Sequence, residues 1–160
     1  MKIGVLSDTH IPKNALELPG AIYKEFAHVD MILHAGDLSE MSVLTSLEEI
    51  APVQAVQGNM DSSELKALLP KKRIVKAGNF KIGLIHGYGP PNGLMKHLKQ
   101  EFKGGVDAVV FGHSHTPMNQ TLDGILYFNP GSATDKIFAT HNTYGIIEAG
   151  KTLTGRIIKI

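Results

Sequence analysis

The chain contains no cysteine. Disulfides, thiolate metal sites and cysteine nucleophiles are therefore excluded, while the redox compartment is left open. Tryptophan is also absent, and the 6 Phe and 4 Tyr bring aromatics to only 6%. No aromatic cluster stands near a motif to suggest a platform for a nucleobase. An excess of one charge is missing too: Lys and Arg total 16 against 15 Asp and Glu, for a net charge of +1. With no long block of like charge, there is no clear nucleic-acid surface and no membrane surface. Long apolar runs are lacking. The opening Met1–Leu6 stops at Ser7-Asp8, too soon for a signal peptide or a membrane span, and a cytoplasmic protein is expected. What remains is 160 residues, 42% hydrophobic and 19% charged, with 8 histidines. This predicts a single domain over 1–160, able to bury roughly two thirds of its unfolded surface without a covalent or metal staple.

Short apolar runs at 3–6, 31–33, 53–56, 82–85 and 108–111 are rich in β-branched residues and lack polar alternation. They predict buried strands, most naturally parallel. Between them, helical spacing covers 15–27, 40–51, 62–69 and 93–103. Asp61 with Glu64 makes a capping-box-like start for the third of these, and Asp61 is expected to be its N-cap. Alternation of strand and helix predicts an α/β fold. After residue 116 the pattern changes to strands at 118–122, 125–129, 143–148 and 152–160 with no helix between them, predicting a mostly antiparallel meander. The apolar end Arg156–Ile160 is expected at a sheet edge, where it could pair with a second copy as a homo-oligomer.

Each run of the first half is followed by polar residues of one kind: Ser7-Asp8-Thr9-His10, His34-Ala35-Gly36-Asp37, Gly58-Asn59, His86-Gly87 and Gly112-His113-Ser114-His115. Ligand sites in open α/β sheets lie beyond the carboxyl ends of strands. If the strands are parallel neighbours, Asp8, His10, Asp37, Asn59, His86, His113 and His115 converge at one sheet edge. Imidazole and carboxylate are ligands for borderline divalent ions, with manganese expected first and Ni, Fe, Co or Zn also suited. The set is too large for one such ion and suits two, sharing a carboxylate and a hydroxide. Two divalent cations set against Asp8, Asp37 and one hydroxide leave a net charge of about +1, poised for an anion such as a phosphate ester. Without the ions, Asp8 and Asp37 would meet as like charges, and one of their pKa values should rise.

The ordered set Asp8-x-His10, Gly36-Asp37, Gly58-Asn59, His86-Gly87 and Gly112-His113-x-His115 resembles the calcineurin-like metallophosphoesterase superfamily. The length and the Asn129-Pro130-Gly131-Ser132 segment look like its small single-domain phosphodiesterase branch. The resemblance implies a four-layer α/β/β/α sandwich. It also implies one metal on Asp8, His10, Asp37 and His115, and a second on Asp37, Asn59, His86 and His113, with Asp37 as the catalytic bridge. Asn59 would in addition turn its amide to a phosphate oxygen. Larger relatives carry a histidine after the Gly-Asn pair, thought to protonate the leaving group, but here position 60 is Met. A positioned acid contributes about 10²–10⁴-fold. Its absence favours diesters with acidic leaving groups over unactivated alkyl monoesters.

The expected activity is thus metal-dependent hydrolysis of phosphate diesters by a metal-bridging hydroxide. The competing reading is a protein-interaction scaffold on the same fold, as in a eukaryotic retromer-complex subunit, which has no need of the complete ligand set. The loop Gly87–Gly93 reads as the rim of the site, with the Gly87 backbone able to approach substrate. His34 is read as a satisfied core residue and His28, His97 and His141 as surface residues. Ser114 lacks the elbow pattern of a nucleophile because position 116 is Thr.

Overall fold

The computed structural model describes residues 1–160. Its strands are β1 (Lys2–Leu6), β2 (Met31–His34), β3 (Val53–Ala55), β4 (Lys72–Ala77), β5 (Phe80–Ile85), β6 (Ala108–Val110), β7 (Met118–Leu122), β8 (Ile125–Asn129), β9 (Thr143–Ala149) and β10 (Leu153–Lys159). The helices are α1 (Gly20–Phe26), α2 (Met41–Glu48), α3 (Ser63–Leu68) and α4 (Pro91–Glu101). The strands form two five-stranded sheets, in the orders β10-β9-β1-β2-β3 and β4-β5-β6-β8-β7.

The parallel core of each sheet is where the sequence pattern places it. β1 pairs in parallel with β2, and β2 with β3; β5 pairs in parallel with β6. Alternate residues then sort between two faces. Ile3, Val5 and Leu33 point from the first sheet into a core shared with Val75, Ile82, Leu84 and Phe128 of the second. On the outer face of the first sheet, Leu6 and Ile32 pack under Phe26 of α1, Leu44 and Leu47 of α2 and Leu65 of α3. On the outer face of the second, Val109 and Tyr127 lie under Leu94 and Leu98 of α4. The result is a helix/sheet/sheet/helix sandwich. No helix is long and apolar enough to cross a membrane.

Several sequence expectations need correction. The five strand ends do not share one sheet edge. β1, β2 and β3 end on one sheet and β5 and β6 on the other, and the stacking of the sheets brings their ends together. The last third is not a meander: β8 joins the second sheet in parallel with β6, while β9 crosses to run antiparallel to β1. The first predicted helix shortens to Gly20–Phe26 because Pro19 precedes it. β4 was not anticipated. It is an edge strand whose Val75 and Ala77 face the core while Lys72, Ile74 and Lys76 face out. A two-residue Gly78-Asn79 turn, with Gly78 at φ 60°, folds it back onto β5. α3 is capped by Ser62, whose hydroxyl accepts the Leu65 N–H at 3.3 Å, and not by Asp61.

Candidate metal centre

The loops after β1 and β2 are zipped together by backbone hydrogen bonds from Asp8 N–H to Gly36 O and from His10 N–H to Asp37 O, both 3.0 Å. Within these loops and the one after β6, Asp8 (φ 54°), His10 (43°), Asp37 (57°), His113 (69°) and His115 (55°) all adopt the left-handed conformation. Asp and His tolerate it better than most residues, but it costs about 1 kcal/mol or more at each. Strain collected at so many candidate ligands marks a site whose side-chain directions are dictated by function. The motif glycines have a steric cause. A Cβ on Gly58 would lie 2.1 Å from Asp37 Oδ1, and one on Gly112 would lie 1.8 Å from Ser7 Oγ and 2.7 Å from Asp8 Oδ2. Only glycine lets these backbones pass the carboxylates.

The donor atoms converge. His115 Nε2 lies 3.3 Å from Asp8 Oδ1 and 3.3 Å from His10 Nε2. His86 Nε2 lies 3.3 Å from Asp37 Oδ2, 3.9 Å from Asp8 Oδ1 and 3.1 Å from Asn59 Oδ1. Asp37 Oδ2 is also 3.7 Å from His10 Nε2. Two groups have ligand atoms that all lie within 4.8 Å of one another: Asp8, His10 and His115, and Asp8, Asp37 and His86. Both carboxylates therefore face a histidine of each group. The imidazoles are held from behind. His86 Nδ1 donates to Ala35 O at 2.7 Å, and His115 Nδ1 donates to the Asp135 carboxylate. Each bond keeps hydrogen on Nδ1 and turns Nε2 inward, the arrangement metal-binding histidines use. Nitrogen and carboxylate donors so arranged fit borderline divalent ions.

Among the remaining expected residues, Asn59 sits at the exposed edge with its amide oxygen on His86. His113 is at the rim, its ring 5.3 Å from that of His86, and its Nε2 donates to Gly89 O at 2.9 Å, leaving Nδ1 as the free lone pair. Gly87, at φ 99°, lines the neighbouring cavity. Ser114 Oγ accepts from Asn129 Nδ2 at 3.1 Å.

Electrostatics follow from this packing. Burial pushes the Asp37 carboxyl up, but the hydrogen bond and charge of His86, with the Met60 N–H, outweigh it and leave it below the ordinary carboxylate range. The rise expected from like-charge repulsion is not found at Asp37, because a protonatable imidazole stands between the carboxylates. Burial opposes charge on His86, yet Asp37 and Asp8 raise it. His115 is raised to about 9, by its hydrogen bond to Asp8 first and by Asp135 as well. Burial lowers His10 and pushes His34 down to about 3. His34 is thus neutral: its Nδ1 accepts the Gly36 N–H at 3.2 Å and its Nε2 donates to Thr9 Oγ1 at 3.2 Å, bracing the two ligand loops.

Two further carboxylates brace the site, one expected only as a helix cap and one without any expected role. Asp61 is buried and accepts the N–H groups of Ser39 and Gly58, both at 2.7 Å, so it clamps the loops carrying Asp37 and Asn59. Asp135 is buried and accepts not only from His115 but from the N–H groups of Ile137, Phe138 and Ala139. Its signal lay in the Asn129–Asp135 run, where Ser132 Oγ donates to Asp8 O at 2.7 Å and so ties this segment to the site.

Two cavities open from the centre and share Asn59. One, of about 420 Å³, contains His10, Asp37, His113 and His115 and has an apolar rim of Met60, Ile137 and Phe138. The other, of about 470 Å³, borders His86.

A family model described as the calcineurin-like phosphoesterase superfamily domain matches residues 1–152. The chain is 44% identical over 135 residues to a probable metallophosphoesterase of Methanothermobacter thermautotrophicus, covering 84% of this chain and 78% of that one. It is 27% identical over 164 residues to a phosphodiesterase of Methanocaldococcus jannaschii, covering 94% of this chain and 95% of that one. Among solved structures, Vps29 of Entamoeba histolytica complexed with Zn²⁺ has a TM-score of 0.77 over 99% of each chain at 22% identity, a likeness of fold.

Proposed function

The chain belongs to the calcineurin-like phosphoesterase superfamily, and from that premise we propose that it hydrolyses phosphate diesters at a pair of divalent metal ions, in the cytoplasm and with manganese as the first candidate. The observation that carries the reading is the convergence of His10, His86 and His115 Nε2 on the carboxylates of Asp8 and Asp37, with no other partner for those nitrogens than one another and Asn59. Asp8, His10, Asp37 and His115 would hold one ion, and Asp37, Asn59, His86 and His113 the other, with Asp37 shared. Such a pair, when bound, supplies an activated water and stabilises the charge on the phosphoryl oxygens.

The chain's own residues do the rest. Asn59 presents its amide to a non-bridging phosphate oxygen, and the Gly87 backbone approaches the ester without a side chain in the way. Asp135 fixes the His115 ring and makes its Nε2 a stronger donor, while Asp61 and His34 hold the loops of Asp37 and Asp8 at their spacing. Position 60 offers a half-exposed Met to the cleft and no proton. The leaving group must then depart as a weak base, which favours diesters with acidic leaving groups.

A scaffold reading is favoured by one observation, the 78% exposure of both Ile137 and Phe138 at the cavity mouth. Turnover separates the two. A Mn²⁺-loaded sample should hydrolyse a chromogenic aryl diester, lose that activity on exhaustive chelation and regain it with metal. A chain that binds stoichiometric metal, verified by elemental analysis, and turns over no diester would refute the enzymatic reading.

A further inference from the structure

The second cavity is built differently from the first. Its wall carries Lys66, Lys71, Lys72 and Tyr88 beside His86 and Asn59. Lys72 is neutralised by Glu101 at 2.6 Å. Lys66 and Lys71 have no carboxylate within ion-pair distance, and Lys66 Nζ is held by Asn59 O at 2.7 Å, one residue's breadth from the metal centre. A chain with a net charge of only +1 thus concentrates uncompensated positive charge on one side of its site. Tyr88 is half exposed and stacks on His97, with ring centroids 4.5 Å apart and planes at 16°. His97 Nδ1 lies 3.4 Å from Tyr88 O, so the pair forms a preset aromatic shelf. The two rings are nine residues apart in sequence, and only the turn into α4 brings them together.

We propose, building on the diesterase reading, that the substrate is a nucleotide diester bearing a further phosphate. Its scissile phosphate sits at the metal centre, its base stacks on Tyr88, and its next phosphate lies on Lys66 and Lys71. Base–aromatic stacking contributes about 1–3 kcal/mol and tolerates any base. Lysine contacts to phosphate add a salt-sensitive component. The other ester arm leaves through the first cavity, past the apolar rim.

The test compares kcat/KM of the Mn²⁺-loaded protein for bis(4-nitrophenyl) phosphate, a dinucleoside monophosphate, and the same dinucleotide carrying one terminal phosphate. The terminal phosphate should raise kcat/KM about tenfold at about 50 mM salt, and the gain should vanish at about 500 mM. Lys71→Gln should abolish the gain. Tyr88→Leu should lower both dinucleotides about tenfold relative to the aryl diester, and Tyr88→Phe should restore them. Hydrolysis of the aryl diester with no gain from the terminal phosphate, or a gain that persists in Lys71→Gln, overturns the inference and leaves the diesterase reading intact. If no diester is hydrolysed, that reading fails instead. Calorimetric binding of adenosine 3′,5′-bisphosphate against adenosine 3′-monophosphate then decides the inference, with tighter, Lys71-dependent and salt-sensitive binding of the bisphosphate supporting it and equal affinities refuting it.

Discussion

Replacing Asp135 by Asn tests how the site is braced, and its effect should depend on pH. The carboxylate is buried and accepts four hydrogens: His115 Nδ1–H and the N–H groups of Ile137, Phe138 and Ala139. In metal-free protein His115 is raised from 6.5 to about 9 by Asp8 first and Asp135 second. At about 1.4 kcal/mol per pH unit, this shift corresponds to about 3 kcal/mol for the charged imidazole, divided between the two acids. Because the folded value lies above the unfolded one, the stabilisation is complete below about pH 6.5 and drains away as the pH rises through about 9. A hydrogen bond between charged partners contributes about 1.5–3 kcal/mol, so Asp135→Asn should cost about 2 kcal/mol at pH 6.5. At pH 9.5 the neutral imidazole can shift its hydrogen to Nε2 and accept from the new amide, so the His115 part of the cost should fall away, leaving only that of the Ala139 N–H, which loses Oδ2 as its acceptor. Urea unfolding of both proteins in chelator between pH 6 and 9.5 measures this directly. With metal restored, the variant should bind about 10–100-fold more weakly, as for other lost partners of a ligand histidine. An equal cost at both ends of the pH range would refute the ionised His115–Asp135 pair.

Three further outcomes follow from the geometry. Asp37 is held below the ordinary carboxylate range, chiefly through His86 against the opposing effect of burial, so its stabilisation is present near neutral pH and lost on acidification. Asp37→Asn should therefore be about 1–3 kcal/mol less stable than wild type in chelator. It should also lose most of the metal-induced gain, about 2.7 kcal/mol per site at a hundredfold excess over Kd, and thermal melting with and without Mn²⁺ reads both effects. In Gly58→Ala the new Cβ would fall 2.1 Å from Asp37 Oδ1 and 2.3 Å from its backbone N. Overpacking of about 1–3 kcal/mol and a lower metal stoichiometry by elemental analysis are expected, and an alanine variant of unchanged stability and metal content would disprove the close approach. With Met60 in the cleft, rates on a series of aryl and alkyl esters should fall steeply with leaving-group pKa; equal turnover of alkyl and aryl monoesters with chemistry rate-limiting would reveal another acid.

What was legible in the sequence is what repeats locally. A buried strand followed within a few residues by Asp or His is a short-range pattern, and it located Asp8, His10, Asp37, His86 and His115, all of which the fold brings together. The donor types point to divalent ions, which the family also implies. What was illegible depends on which distant segments meet. Asp61 sits where a cap would, and only the approach of Ser39 and Gly58 shows that it clamps two loops. β4 reads locally as solvated because Lys72, Arg73 and Lys76 break up its apolar residues, as suits an edge strand. The parallel pairing of β8 with β6 spans the residues between them without a helix, so no local period announces it. The sheet-to-sheet stacking that sets two parallel cores side by side is a property of the shared core of Ile3, Val5, Ile82 and Leu84. It has a direct consequence for the site. The first sheet delivers Asp8, His10, Asp37 and Asn59, and the second delivers His86, His113 and His115, so the spacing between the two groups of donors is the spacing between the sheets. Substitutions that thin this shared core, such as Leu84→Ala two residues before His86 on β5, should act on how closely these donors approach one another as well as on stability.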